Sequence, residues 1–241
     1  LAIAPVLIGM GAADAAGKFD LALSLLALTV SLSLQIGVNY ANDYSDGIRG
    51  TDAKRVGPLR LTGSKSVKPQ AVKNAAFIFF GLAGAAGFAI VLITGIWWLL
   101  AIGALAIVAA WFYTGGKNPY GYAALGEVSV FIFFGLVATI GTEFIQTNNV
   151  DINGVLGGIA MGAISSAVLM VNNIRDIDTD IKADKKTLAV RLGDRRSRVL
   201  FLFLIYIPLA INILLILIYP ATLLGLLNIL LLVPISGIAL S

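Results

Sequence analysis

The 241 residues contain no cysteine and no histidine. Disulfides, thiolate zinc sites, iron–sulfur clusters and His-ligated haem are therefore excluded. So is every mechanism that needs a Cys nucleophile or a His base. Any metal held here is a hard, oxygen-ligated ion. Charge is scarce too. Only 12% of residues are Asp, Glu, Lys or Arg, against 59% hydrophobic, and the mean hydropathy is +0.93. A soluble domain carries about 25% charged residues, which rules out a soluble globular enzyme. Strand-like alternation is also absent, so a membrane β-barrel is not expected.

What is present is a series of long apolar runs. A hydrocarbon core of ~30 Å needs ~20 apolar residues per helix. Eight runs meet or approach that length: about 1–12, 21–41, 74–93, 96–113, 126–145, 154–173, 199–218 and 220–240. The expectation is one polytopic, all-α membrane domain covering 1–241. Gly is frequent at 26 residues, which suits close helix packing in lipid. The first run lacks the basic n-region of a signal peptide.

The charges are unevenly placed. Loops 42–73, 114–125 and 174–198 hold 16 of the 17 basic residues, and each follows an even-numbered span. They therefore share one face, which the positive-inside rule makes cytoplasmic. Topology accounts for most of these basic residues, so nucleic acid is not expected as a partner. It does not account for the acids. Eight of 13 sit in the two larger basic loops: Asp43, Asp46, Asp52, Asp176, Asp178, Asp180, Asp184 and Asp194.

An internal repeat carries them. Val38-Asn39-x-x-x-Asp43 and Val171-Asn172-x-x-x-Asp176 share a pattern, each followed by further Asp residues, at an offset of 133 residues. Two related four-helix halves are expected, each bringing an acidic cluster to the same depth. Asp176, Asp180 and Asp184 are spaced to share one face of a continuing helix, as are Asp43 and Asp46. Clustered carboxylates repel, and acids near a membrane are costly. A divalent cation offsets both. Mg²⁺ takes carboxylate oxygens and is often shared with substrate phosphates. Helix capping explains a single Asp but not two matched clusters.

Lys117, Arg175, Lys185 and Lys186 lie in the same loops and are suited to diphosphate oxygens. Tyr113, Tyr120 and Tyr122 flank Gly115-Gly116. Two readings of them stay open: an interfacial aromatic belt, or rings that stabilise a carbocation.

These residues resemble the UbiA superfamily of intramembrane aromatic prenyltransferases, most closely its dihydroxynaphthoate branch. The resemblance rests on N-D-Y-S-D-G-I-R-G-T-D at 42–52, G-P-L-R-L at 57–61 and W-F-Y-T-G-G-K-N-P-Y-G-Y at 111–122. It continues through L-G-E-V at 125–128, N-N-I-R-D-I-D-T-D at 172–180 and K-K-T-L-A-V-R-L-G at 185–193. It implies nine transmembrane helices around a central cavity in a bacterial plasma membrane, with the site at the cytoplasmic face. It implies Mg²⁺, a polyprenyl diphosphate and 1,4-dihydroxy-2-naphthoate, joined with loss of CO₂ and diphosphate in menaquinone synthesis. By the same resemblance Asn42, Asp43, Asp46, Asp176 and Asp180 hold metal. Tyr113 and Lys117 are catalytic, and Lys117, Arg175 and Lys186 bind diphosphate. Asp52, Asn172, Asn173, Tyr120 and Lys185 are weaker matches.

There are departures. The general motif puts a third acid at position 50, which is Gly50, with Asp52 two further on. Asp184 stands where the family commonly has Gly. A basic N-terminal residue and a ninth helix are missing, so the sequence is expected to be part of a longer chain. Two rivals fare worse. A CDP-alcohol phosphotransferase signature begins at Asp43-x-x-Asp46-Gly47 but fails at Gly50-Thr51. A secondary transporter would place its charges near the bilayer midplane, and the span interiors here are almost free of charge. Other aromatic acceptors, such as 4-hydroxybenzoate, remain the alternative substrate.

Overall fold

The computed structural model describes residues 1–51 and 59–219. The regular structure described is helical throughout. In chain order it comprises α1 (Ile3–Ala15), α2 (Leu21–Arg49), α3 (Pro69–Thr94) and α4 (Leu99–Phe112). A 3₁₀ turn (Tyr120–Ala123) then leads into α5 (Gly126–Val130), a π-helical stretch (Phe131–Val137) and α6 (Ala138–Thr147). These last three form one continuous rod, Gly126–Thr147. There follow α7 (Ile152–Arg175), α8 (Ile177–Lys182), α9 (Leu188–Leu192) and α10 (Asp194–Ile218).

Local signals explain the boundaries. Asp20 caps α2 by accepting from the Leu23 amide, and Asp151 caps α7 by accepting from Asn153 and Gly154. Pro69 occupies the first turn of α3, where its missing N–H costs nothing. Gly50 and Gly95 end α2 and α3 in the left-handed region.

Five helices are long and apolar enough to cross a membrane: α2, α3, the Gly126–Thr147 rod, α7 and α10. The apolar helices α1 and α4 are shorter, at 13 and 14 residues. Large apolar side chains such as Leu7, Phe77, Trp97 and Phe203 are exposed around this bundle, as lipid-facing helices require. The first seven predicted spans each fall on one of these helices. The eighth, at 220–240, and the candidate ligand Asp52 lie outside the described residues.

Two boundaries differ from expectation, and both matter for the site. Helix α2 does not stop near position 41 but runs to Arg49. The first acidic motif is therefore helical, with Asp43 and Asp46 each about 5% exposed. The second motif does not lie on one continuing helix. Helix α7 ends at Arg175, Asp176 takes a non-helical ψ of 5°, and α8 restarts at Ile177. Asp184 falls beyond α8 at φ 51° and turns outward to Lys186, its side chain 90% exposed. It does not share a face with Asp176 and Asp180.

Small residues let the rods approach closely. Gly135, in the π stretch, packs on α7 so tightly that a Cβ there would collide with Gly162 Cα and stand 2.7 Å from the Gly158 carbonyl oxygen. Backbone cannot retreat as a side chain can. Gly135→Ala should destabilise the detergent-solubilised protein by about 1–3 kcal/mol, the cost of overpacking. A clear drop in Tm checks this, with Gly141→Ala, which meets nothing within 4 Å, as the silent control.

Candidate active site

The helices enclose a cavity of about 760 Å³. One end is apolar and is lined by Val6, Ala27, Ile90 and Ile145. The other end is polar. It collects Asn42 and Asp46 from α2, Asn172, Asn173 and Arg175 from α7, Asp176 at the break, and Asp180 from α8. Two segments 133 residues apart in sequence thus meet at one mouth.

Asp46 accepts a hydrogen bond of 2.7 Å from the Tyr122 hydroxyl. The Tyr122 ring is flanked by two cations, Arg49 at 5.4 Å and Lys185 at 5.3 Å from its centroid. Lys185 also stands 3.7 Å from Asp180. Tyr122 therefore bridges the two acidic motifs. Burial raises the Asp180 carboxyl above its ordinary value, and the charges of Asp176 and Asp46 add to the rise. Lys185 and the Thr187 hydroxyl oppose it. The mouth pairs three carboxylates, Asp46, Asp176 and Asp180, with three cations, Arg60, Arg175 and Lys185.

The Tyr-Thr-Gly-Gly loop is clamped onto α2. Arg49 donates to the backbone carbonyls of Thr114 and Gly116, and the Thr114 hydroxyl donates to Asn42 Oδ1 at 2.8 Å. The loop presents Tyr113 to the cavity. The Tyr113 ring lies edge-on to Tyr120 at 5.5 Å. Burial and the charges of Glu127, Asp46 and Asp180 hold its phenol above the ordinary range, so it stays neutral.

The expected site residues divide. Tyr113, Asn42, Asp46, Arg175, Asp176 and Asp180 line the cavity. So do four of the weaker matches: Asn172, Asn173, Tyr120 and Lys185. Asp43 is placed differently. It is absent from the cavity lining, and its two oxygens accept the backbone amides of Leu61 and Thr62, each at 2.8 Å. It ties the 59–67 turn to α2. Lys117 is exposed on its loop. Lys186, its side chain 66% exposed, pairs with Asp184 at 3.7 Å. Neither faces the cavity. Arg175 chelates Asp176 through two 2.7 Å bonds.

Sequence reasoning missed Arg49, Tyr122 as a bridge, Arg60 and Thr51, the last two also in the lining. Arg49 had looked like one more topology-setting cation. The one available signal was its place in N-D-Y-S-D-G-I-R, one turn beyond the acids.

Among the described residues, no three carboxylates converge tightly enough to hold a metal alone. The donors are nonetheless hard oxygens gathered at one cavity mouth. They fit a Mg²⁺ ion whose remaining positions are filled by phosphate oxygens and water.

The profile of the UbiA prenyltransferase family matches residues 2–241. The chain belongs to this family. Its fold is that of a UbiA homolog from Archaeoglobus fulgidus bound to DMAPP and Mg²⁺. The TM-score is 0.71 at 16% identity, over 98% of this chain and 82% of the other. Among UbiA-family sequences, the 1,4-dihydroxy-2-naphthoate octaprenyltransferase of Mycobacterium tuberculosis is 50% identical over 93% of this chain and 77% of its own. The Escherichia coli protein of the same name is 38% identical over 82% of this chain and 66% of its own.

Proposed function

We propose that this UbiA-family chain transfers a polyprenyl group from its diphosphate to 1,4-dihydroxy-2-naphthoate, with loss of CO₂ and diphosphate. The product would be demethylmenaquinol, in menaquinone biosynthesis. One observation carries the reading: both Asp motifs and the Tyr-Thr-Gly-Gly loop meet at the polar mouth of a single long apolar cavity. That shape suits a substrate with a charged head and an isoprenoid tail. The half-identical mycobacterial relative supplies the acceptor.

The diphosphate sits at the mouth, between Asp46 on one side and Asp176 and Asp180 on the other. These carboxylates would hold Mg²⁺, with Asn42 a further oxygen donor. When bound, the ion supplies positive charge that lowers the cost of releasing diphosphate. Lys185, Arg60 and Arg175 are the cavity-lining cations, and they stabilise the leaving group as its charge grows. Lys117 and Lys186 reach it only if their loops close. The Tyr113 ring faces the allylic carbon, where its π-face stabilises developing cationic charge. The electron-rich ring of the acceptor then attacks. Bonding at the carboxylate-bearing carbon gives a β-keto acid, which loses CO₂ without a dedicated base.

The chain lies in a bacterial plasma membrane with eight spans in two related halves, the site facing the cytoplasm. The 16-to-1 distribution of basic residues supports that orientation. With no native cysteine, a single Cys at the exposed Ser66 should be blocked from impermeant maleimide in intact cells. Labelling from outside would overturn the orientation. For the chemistry, carboxyl-labelled dihydroxynaphthoate should release its label as CO₂ in equal amount to diphosphate. Label retained in a prenylated product would instead indicate an acceptor chemistry of the hydroxybenzoate kind.

A further inference from the structure

Glu127 has no place in the reaction as described above, yet its surroundings are unusual for a carboxylate. It lies on α5 at the start of a membrane-crossing rod and is about 5% exposed. Its Oε1 accepts a 2.9 Å hydrogen bond from Asn173 Nδ2. Its Oε2 is buried and has no hydrogen-bond partner among the described residues. The Ser166 hydroxyl donates to its backbone carbonyl at 2.9 Å, which fixes the first turn of α5 against α7. Next to it, Gly126 lies against Tyr113: a Cβ there would stand 3.0 Å from the phenol oxygen. Glu127 is absent from the cavity lining, whereas Asn173 belongs to it.

An ionised carboxylate only accepts hydrogen bonds. Asn173 turns its NH₂ toward Glu127 Oε1, and that leaves the amide carbonyl oxygen as the end available to the cavity. A neutral partner able both to donate and to accept would leave the amide free to flip. A buried carboxylate with an unmatched oxygen is expensive, so holding one amide orientation is a reason to keep it. That oxygen is an acceptor, and what an acceptor recognises on an aromatic ring is a hydroxyl.

We propose that Glu127 is a positioning residue that fixes Asn173 with its carbonyl oxygen toward the cavity, where it accepts a hydrogen bond from a ring hydroxyl of the aromatic substrate. The assignment rests on the reading of the substrate as a dihydroxylated naphthoate. It makes Asn173 a specificity determinant for the hydroxyl, and Glu127 acts only through it. A site built to pair a hydroxyl discriminates strongly against an analogue that lacks it, because its own polar group is then left unpaired.

The test uses the full chain in detergent with dihydroxynaphthoate, a polyprenyl diphosphate and Mg²⁺. Competitive inhibition is compared for 2-naphthoate, 1-hydroxy-2-naphthoate and 4-hydroxy-2-naphthoate. The wild type should bind one hydroxylated inhibitor roughly tenfold more tightly than 2-naphthoate, as a desolvated hydrogen bond allows. Glu127→Leu and Asn173→Ala should each erase that preference and raise KM for the acceptor roughly tenfold. The KM for prenyl diphosphate should stay within about twofold, because the hydrogen bond removed does not involve the diphosphate. Glu127→Gln, a neutral partner that both donates and accepts, should lose part of the preference, because the Asn173 amide is then free to flip. If Glu127→Leu does not fold, Asn173→Ala gives the same reading. A hydroxyl preference that survives in the folded variants overturns the proposal. So does a fall in kcat or Tm with the preference intact, which is what a purely structural Glu127 would give. Failure of the wild type to prenylate dihydroxynaphthoate would instead reject the proposed function.

Discussion

Replacing Asp46 with alanine should lower the rate of diphosphate release by about 100-fold or more, the scale of losing one preorganised electrostatic interaction. Asp46 is almost fully buried at the cavity mouth and is fixed by the Tyr122 hydroxyl at 2.7 Å. Its orientation is therefore set before substrate arrives. Asp176→Ala and Asp180→Ala should fall in the same range, because the three acids line the same cavity mouth. The effect should appear in kcat more than in KM for the acceptor. Tyr122→Phe offers a graded comparison: it leaves the carboxylate in place and removes only the bond that aims it, so its loss should be smaller, roughly tenfold. Steady-state assays of diphosphate release on detergent-purified variants check both. Near wild-type rates in Asp46→Ala would remove it from the site.

Asp43→Ala should fail in a different way. Both Asp43 oxygens are taken by the amides of Leu61 and Thr62, and the carboxylate is about 5% exposed. Alanine would leave two amides without their acceptor, at about 1–3 kcal/mol for each one buried. The 59–67 turn should come loose from α2. Close by, Gly47 is packed so tightly that a Cβ would stand 2.5 Å from Thr62 Cβ. The expected result is a marked drop in Tm, with protease sensitivity in the turn. Asp46→Ala should melt near the wild type. Asp43→Asn should recover part of the stability, because one oxygen can still accept. A variant Asp43→Ala that melts like the wild type but is inactive would return Asp43 to the role of metal ligand.

Asp43 and Asp46 show what the sequence could and could not reveal. Their spacing placed both on one helix face, and the repeat at 171–176 placed that face at the same depth as a second acidic cluster. In the structure both lie on α2, and Asp46 meets Asp176 and Asp180 in the lining of one cavity. The split in their roles does not follow, because it depends on a turn that folds back across 18 residues to reach Asp43. The same limit separates Lys185 from Lys186. They are adjacent in sequence, and only the break at Asp176 and the short α8 direct the first toward Asp180 and the second toward solvent. Asp176, Asp180 and Asp184 looked like one stripe, since nothing in I-R-D-I-D-T-D is a strong helix breaker. The seven apolar runs within the described residues were legible because lipid tolerates few alternatives to a helix. Arg49 was not, because its partners are backbone carbonyls, which leave no trace in side-chain chemistry.

The central claim is that the two Asp motifs act as one Mg²⁺-dependent diphosphate site above an apolar cavity. The most direct measurement is a Mg²⁺ titration of diphosphate release by the purified chain, with a polyprenyl diphosphate and dihydroxynaphthoate, for the wild type and for Asp46→Asn and Asp180→Asn. The account predicts no release without the ion, and saturable release in the wild type with one prenylated product per diphosphate. It also predicts that either variant, one in each motif, shifts the midpoint to higher Mg²⁺. Release independent of Mg²⁺, or a midpoint unmoved by one of the two variants, would contradict it.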